Sequence, residues 1–345
     1  MADLKIINAG LFTTIQDKGR IGYQQFGMST AGAMDEFSLK VGNILLGNDE
    51  YEGALEITMV GPQIEFNTST VIVITGANIS PKLNNNSIPM WHSIKVKKGD
   101  VLSFGGAKSG CRSYICFAGG IDVPKVLGSK STYVKAAIGG FKGRALKSGD
   151  EINLVKINKS LDHIANRTIP ENFIPKYFKN HEIRLILGPQ HESFSKEEIE
   201  KFLNSEYEIS NQADRMGYRL SGPEIKHIKG ADIISDGIAL GSVQIPGHGM
   251  PIIMMADRQT TGGYTKIATI ISTDIPVLGQ AKPGDKIKFK NITIEEAHEV
   301  LRNYNNLFKN IKKSIYKKFL NIADENLFSD HNNDYYDVYY EKVFK

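Results

Sequence analysis

The sequence predicts a mainly β chain of the α+β kind, with two domains, short helices and a C-terminal helical extension. Three observations carry this: short β-type runs recur along the chain, one turn-plus-strand unit appears three times, and a long helical pattern is confined to the end. Val71 to Thr75, Ser93 to Val96, Ser113 to Ala118, Glu182 to Leu187, Ile252 to Met255 and Ile267 to Ser272 are rich in β-branched and aromatic residues, and Gly, Asn, Asp or Pro punctuate them. The repeated unit reads Lys98-Gly99-Asp100-Val101-Leu102, Ser148-Gly149-Asp150-Glu151-Ile152 and Pro283-Gly284-Asp285-Lys286-Ile287. In each copy Gly-Asp supplies a turn before an apolar alternation, and the recurrence predicts closed or half-closed barrels. The 33 glycines are scattered among apolar runs, which fits tight turns better than flexible linkers.

Between Lys156 and Asn180 the chain turns polar, carries prolines and loses any period, after which a fresh strand starts at Glu182. The boundary expected there gives a β-rich domain over residues 1–180, a barrel domain over 181–290, and a helical extension with a tail over 291–345. Thr293-Ile-Glu-Glu-Ala297 opens a helix with an N-cap threonine and early acids, and apolar residues follow at helical spacing through Phe319. Asp330 to Lys345, rich in Asn, Asp and Tyr, predicts a loosely held tail.

With 345 residues and 41% hydrophobic content the chain has enough apolar side chain for a substantial core. Its 42 lysines and arginines against 38 acids leave only +4, too diffuse a charge to favour nucleic acid or an anionic membrane. Met-Ala-Asp-Leu-Lys runs directly into an apolar alternation without the layout of a signal peptide, and no apolar run reaches membrane-spanning length, so a cytoplasmic protein is expected. Cys111 and Cys116 lie five positions apart on one strand and are expected as two buried thiols.

Several catalytic signatures are missing. Gly106-Ala107-Lys108-Ser109 resembles the end of a phosphate loop, but Val101 stands where its first glycine belongs. No zinc-protease, nucleophile-elbow or dinucleotide-binding pattern occurs, and the eight histidines have no ligand spacing, so no metal is expected. What stands out are four segments that crowd charged and amide side chains among glycines. The first runs from Thr13 through Gln16, Asp17 and Arg20 to Asp35; the second is Asp214-Arg215-Met216-Gly217-Tyr218-Arg219. The third is Gly241-Ser242-Val243-Gln244-Ile245-Pro246, and the fourth is Asp257-Arg258-Gln259-Thr260-Thr261-Gly262-Gly263-Tyr264. Arg215 and Arg219 are candidates to hold a carboxylate or phosphate through paired hydrogen bonds, and Gln244 and Gln259 each complement an amide, ureido or lactam group. Asp17 with Arg20, and Asp257 with Arg258, are also readable as structural ion pairs.

These segments are where the chain resembles the biotin-dependent carboxyltransferase / allophanate hydrolase subunit 2 family. The strings are Thr-Ile-Gln-Asp-Lys-Gly-Arg, Thr-Ala-Gly-Ala-Met-Asp-Glu-Phe-Ser, Ala-Gly-Gly-Ile-Asp-Val-Pro-Lys-Val-Leu-Gly-Ser-Lys-Ser-Thr, Asp-Arg-Met-Gly-Tyr-Arg-Leu, Ser-Val-Gln-Ile-Pro and Asp-Arg-Gln-Thr-Thr-Gly-Gly-Tyr, in order over residues 10 to about 290. The resemblance implies a cyclophilin-like β-barrel. Within the family, chains of this length are similar to the group of C-type subunits of 5-oxoprolinase (the KipA/PxpC group). That likeness implies ATP-dependent opening of 5-oxoproline to glutamate together with a LamB/YcsF-like A-type subunit and a KipI-like B-type subunit, the ATP site being illegible in this chain and open to sharing with a partner. It leaves two alternatives: carboxyl transfer of the urea carboxylase type, or a regulatory partner of a KipI-like kinase inhibitor. No Ala-Met-Lys-Met biotin-attachment sequence occurs, so no covalent biotin is expected on this chain. Lys130 stands where the family pattern has an arginine, keeping the charge and losing the planar fork.

The expected site gathers these groups in one cleft between the two domains. Arg20, Asp35, Arg215, Arg219, Gln244, Gln259 and Thr260 are the expected substrate-binding residues. Asp17, Asp257 and Tyr264 are the expected catalytic ones, with Asp17 or Asp257 handling a proton.

Overall fold

A computed structural model describes residues 2–320; the tail expected at Asp330 to Lys345 lies outside them. The first half contains β1 (Leu4–Asn8), β2 (Phe12–Gln16), α1 (Glu36–Leu46), β3 (Ala54–Thr58), β4 (Gln63–Phe66), β5 (Thr70–Asn78), β6 (Pro81–Leu83) and β7 (Asn86–Ser87). It continues with β8 (Ser93–Val96), β9 (Val101–Phe104), β10 (Ser109–Phe117), β11 (Glu151–Ile152) and the short α2 (Leu161–Ile164). The second half contains β12 (Asn180–Leu187), α3 (Lys196–Asn204), β13 (Glu206–Ala213), β14 (Gly217–Ser221), β15 (Asp232–Gly237) and β16 (Ser242–Ile245). β17 (Ile252–Met254), β18 (Thr261–Ile270), α4 (Ile275–Gln280), β19 (Lys286–Asn291) and α5 (Ile294–Leu320) complete it.

Two sheets face each other in the first half, one ordered β11-β1-β4-β9-β6-β7 and the other β2-β3-β10-β5-β8. Leu4, Ile6, Ile57, Phe66, Ile72, Ile74, Ile115 and Phe117 fill the space between them. α1 covers the other face of the five-stranded sheet, against Val71, Val73, Tyr114 and Cys116. That sheet is therefore buried on both sides, which explains why β5 is apolar almost without interruption rather than alternating. Both cysteines are buried and free, and burial pushes the Cys116 thiol up.

The second half closes on itself. Strands β12-β19-β13-β14-β17-β16-β18 form a ring of seven, sealed by the β12–β18 pairing, and β15 extends it beyond β18. Ile183, Leu185, Ile209, Leu220, Val243, Ile253, Ile267 and Ile287 fill the barrel. α3 packs against β19, where Phe202 stacks on Phe289 at 4.7 Å. Its N-cap Ser195 accepts from the Glu198 amide at 3.3 Å, so Ser195→Ala is expected to cost about 1 kcal/mol, measured as a shift in the urea-unfolding midpoint.

The three predicted Gly-Asp turns lead into β9, β11 and β19 and share one geometry. Gly99, Gly149 and Gly284 all have φ near +90° (92°, 87° and 86°). The carboxylates of Asp100, Asp150 and Asp285 each accept the amide three residues back, from Lys97, Lys147 and Lys282 at 2.7, 2.7 and 3.0 Å. Glycine supplies the left-handed backbone and aspartate ties the turn shut. The polar stretch after Lys156 is anchored to the first half: the Ser93 amide donates to the Arg167 carbonyl at 2.8 Å, and the Ser93 hydroxyl to the Ile164 carbonyl at 2.7 Å.

α5 returns from the barrel to the first half. Phe308, Ile311 and Ile315 are buried against α1, Phe37 packs on Phe308 with ring centroids 5.5 Å apart, and Lys312 pairs with Glu50 at 2.5 Å. No helix among the described residues is long and apolar enough to cross a membrane.

Candidate active site

The two halves meet along a buried polar seam, and each sends one arginine across it. Arg215, just before β14, reaches the first half: its Nη1 pairs with Glu56 of β3 and its Nη2 donates to the Gly32 carbonyl at 2.6 Å. The same guanidinium grips Asp257 with two hydrogen bonds of 3.0 and 2.8 Å. Burial opposes the Arg215 cation, but Asp257 and then Glu56 outweigh it and hold its pKa above the ordinary value. In the opposite direction, Arg112 of β10 donates to the Tyr218 hydroxyl at 2.6 Å and the Gly279 carbonyl at 2.7 Å.

Glu56 is the hub on the first-half side. It accepts from the Met34 amide at 2.8 Å and the Tyr114 hydroxyl at 2.7 Å, and Tyr114 in turn accepts from the Asp35 amide at 2.8 Å. Asp35 caps α1 through Ser38 and takes the Gln280 side-chain amide of α4 at 2.7 Å. Burial is the main influence on Asp35 and raises its pKa, against the hydrogen bonds from Ser38 and Gln280. Gln280 is used completely, since its oxygen accepts from the amides of Cys111 and Arg112 and its nitrogen also donates to the Arg112 carbonyl.

Asp17 and Arg20 form the other end of the seam. Asp17 accepts from Ser129 and Ser131 hydroxyls at 2.6 and 2.5 Å and from the Lys130 and Gly19 amides at 2.6 and 2.8 Å. These four bonds occupy its oxygens in splicing two loops together. Arg20 is fully buried, and its Nη2 donates to the Ser131 carbonyl. Burial lowers the Arg20 pKa, opposed by the charges of Asp17 and Asp257. Tyr133, next to this group, has its hydroxyl pKa raised by burial and then by Asp257.

One chain of contacts through Glu56 and Tyr114 links Asp35, Arg215 and Asp257, whereas Asp17 and Arg20 bond to first-half loops and Asp257 acts on Arg20 through its charge. Gln244 is buried on β16 with its nitrogen unpartnered, 2.9 Å from where a side chain at Gly262 would begin. Arg219 and Gln259 are exposed, and Tyr264 is 41% exposed where β18 pairs with β15. Thr260 contributes its carbonyl to the Ile238 amide at 3.0 Å. Strand alternation explains Arg219: Tyr218 and Leu220 face the barrel core, so the residue between them faces out. Arg215 and Arg219 therefore do not form a clamp. Arg258, the neighbour of Asp257, donates instead to the Ile238 and Met255 carbonyls, and burial brings its pKa down to about 10.

Glu56, Arg112, Tyr114, Tyr133, Gln280, Ser129 and Ser131 complete the seam and are absent from the expected set. A legible signal existed for two of them, because Glu56 and Arg112 are lone charges inside apolar strands, where only a paired charge is tolerated. An open cleft of about 730 Å3 borders the Asp17 end, lined by Lys18, Gly19, Tyr23, Tyr51, Lys125 and Lys130 among others. Its size is that of a small-molecule site. Lys130 is tied down inside it by Glu52 at 2.5 Å and the Ile121 carbonyl at 2.8 Å. Among the described residues, no group of three or more His, Cys, Asp or Glu is arranged to hold a metal ion.

His181 lies buried near the start of the barrel, with Asp285 3.7 Å away. Burial lowers its pKa, with Asp285 opposing and Lys282 assisting. The folded chain therefore binds fewer protons here than the unfolded chain as pH falls through about 6.5, so this contribution to stability is present above that pH and lost below it. Urea unfolding between about pH 7.5 and 5.5 is expected to show a slope that His181→Gln reduces; an unchanged slope would assign the effect elsewhere.

The family model of the carboxyltransferase domain, subdomain A and B, matches residues 26–291, so Asp17 and Arg20 precede the matched span. The chain is 38% identical over 308 residues to the C-type subunit of 5-oxoprolinase from Escherichia coli, covering 89% of this chain and 97% of that protein. It is 34% identical to urea amidolyase of Saccharomyces cerevisiae over 86% of this chain but only 17% of that much longer protein. The crystal structure of the K. lactis urea amidolyase superposes with a TM-score of 0.85 at 32% identity, over 90% of this chain and 20% of that one, so the present chain spans about a fifth of it. A two-sheet half and a closed barrel joined by crossing arginines, matched over most of its length by these proteins, place the chain in the carboxyltransferase family that includes the C-type subunit of 5-oxoprolinase and the corresponding region of urea amidolyase.

Proposed function

We propose that this chain is the C-type subunit of a cytoplasmic 5-oxoprolinase that opens 5-oxo-L-proline to L-glutamate with ATP, together with the A-type and B-type subunits. The observation that carries it is the correspondence with the Escherichia coli protein over 89% of this chain and 97% of that protein, against 17% of the yeast urea amidolyase. The buried seam supports an amide substrate, because it offers oriented donors and acceptors shielded from water. In this reading Arg215 and Asp257 position the seam, Asp35 and Gln280 fix α1 against α4, and Arg20 and Gln244 bring unpartnered N–H groups. Gln259, Thr260, Arg219 and Tyr264 belong to the outer wall, where another protein of the complex completes the site.

ATP is not accommodated by a phosphate loop here. Gly106 to Ser109 leads into strand β10 rather than a helix, and the Lys108 amide is spent on the Asn78 carbonyl at 2.7 Å. In this reading the nucleotide step falls to a surface shared with, or supplied by, the KipI-like B-type subunit. The test is co-purification of this chain with the A-type and B-type proteins and assay of glutamate release. Release that needs ATP and all three proteins is expected; a stable complex that binds 5-oxo-L-proline but releases no glutamate would sink the proposal. Carboxyl transfer of the urea carboxylase type is the second reading, favoured by the TM-score of 0.85 to the K. lactis structure, and biotin- and urea-dependent turnover with a biotin carboxylase would replace the first.

A further inference from the structure

The arginines at the seam differ in what their N–H groups lack. Arg215 is divided among Glu56, Asp257 and the Gly32 carbonyl, and Arg112 Nη1 serves Tyr218 and the Gly279 carbonyl while its Nε, buried without a hydrogen bond, faces Glu56 at 4.0 Å. Arg20 has only Nη2 engaged, and its Nε and Nη1 are buried without a partner. Gln16, the last residue of β2 and also fully buried, donates its Nε2 to the Thr14 hydroxyl at 2.9 Å and the Thr132 carbonyl at 3.1 Å. Those bonds fix the amide, and its oxygen Oε1 is left buried without a donor. Arg20 and Gln16 are anchored on the carbonyls of the consecutive residues Ser131 and Thr132, so the free donors and the free acceptor belong to side chains held by one short segment.

Four buried guanidiniums (Arg20, Arg112, Arg215 and Arg258) stand among the buried carboxylates Asp17, Glu56 and Asp257. Asp35, a fourth buried acid, is shifted by burial toward its neutral form. A lactam edge carries N–H and C=O together and so satisfies both side chains, and the carboxylate of 5-oxoproline lies outside that edge.

We propose that Gln16 and Arg20 read the N–H/C=O edge of a cis amide, the lactam of 5-oxoproline: Gln16 Oε1 accepts the lactam N–H, and Arg20 Nε and Nη1 donate to the lactam oxygen. The choice of lactam rests on the function proposed above; urea and the ureido ring of biotin share the same edge. Donors set on that oxygen also draw electron density from the carbonyl carbon, as ring opening requires. The cover is the hairpin whose stems hold both side chains. Tyr133 and Ile138 exchange backbone hydrogen bonds of 2.8 and 3.2 Å, residues 134–137 are exposed, and Gly139 lies directly over Arg20 Nη2. A ligand reaches the pair only when that hairpin lifts.

The experiment is steady-state kinetics of the complex with the A-type and B-type proteins, using 5-oxo-L-proline. Gln16→Leu is expected to raise KM about tenfold with little change in kcat, and Gln16→Glu, which keeps an acceptor oxygen, to recover part of it. Arg20→Lys, which keeps the charge and removes the planar fork, is expected to lower kcat. The unmodified complex supplies a readout independent of folding: calorimetry should detect 2-pyrrolidone and not N-methyl-2-pyrrolidone, whose N–H is blocked. Equal binding of the two, or unchanged kinetics in Gln16→Leu and Arg20→Lys while glutamate is released, overturns this assignment and leaves the 5-oxoprolinase reading standing. If instead no glutamate forms but urea or biotin binds, and the same two variants lose it, the amide-edge pair stands and the 5-oxoprolinase reading falls. Binding of none of these compounds overturns the pair.

Discussion

Arg215→Ala is expected to destabilise the chain by about 3–5 kcal/mol, read from urea unfolding followed by fluorescence. The change leaves Glu56 and Asp257 buried beside each other with their shared cation gone, and it strips the Gly32 carbonyl of its donor. Replacing one partner of a buried ion pair costs far more than the pair contributes, because the stranded charge has lost its water as well. A loss below about 1 kcal/mol would mean that the two carboxylates find other partners or water. Lost turnover in this variant therefore reports the collapse of the seam, so Gln16→Leu is the cleaner probe of substrate contact. The double variant Arg215→Met with Glu56→Gln should recover part of the stability, since the charge mismatch is smaller.

Gly139→Ala is expected to cost about 2–6 kcal/mol and to abolish activity of the assembled enzyme. Gly139 has φ +68°, and a methyl group there would collide with Arg20 Nη2 and the Ser131 carbonyl. Strain of a non-glycine residue in the left-handed region adds to the overpacking of a closed site, each about 1–3 kcal/mol. Gly149→Ala gives the contrast. It shares the positive φ, at 87°, but a methyl group there meets nothing within 4 Å, so it should show only the backbone part and keep activity. Equal effects of the two substitutions would show that the space around Arg20 is not the cause.

What was legible in the sequence was periodicity and punctuation. All six apolar runs overlap strands, and the three Gly-Asp turns open strands. Thr293 caps the long helix: its hydroxyl accepts from the Glu296 amide at 3.1 Å, and its own amide donates to the Glu296 carboxylate at 2.8 Å. These are local properties, fixed by backbone preference and by alternation within a few residues. The closed barrel follows from β12 pairing with both β18 and β19, a connection across most of the second half that no local pattern announces. The site divides along the same line. Asp17, Arg20, Arg215 and Asp257 stood out as charges among glycines, yet Arg215 and Arg219 looked equivalent until β14 turned one inward and the other out. Glu56 sits 159 positions from Arg215, and Gln280 sits 245 positions from Asp35, so one sequence shows each as an isolated polar residue without its counterpart.

The crossing of arginines also bears on ancestry. Recombination within the segment that joins the two halves would pair Arg215 with a foreign surface lacking Glu56, and Arg112 with a barrel lacking Tyr218. Each donor would arrive buried and unreceived, so modular shuffling of these halves is penalised twice over. Descent should therefore have transmitted them as one inseparable cassette, including where a matching region lies inside a polypeptide several times longer, as in the urea amidolyases.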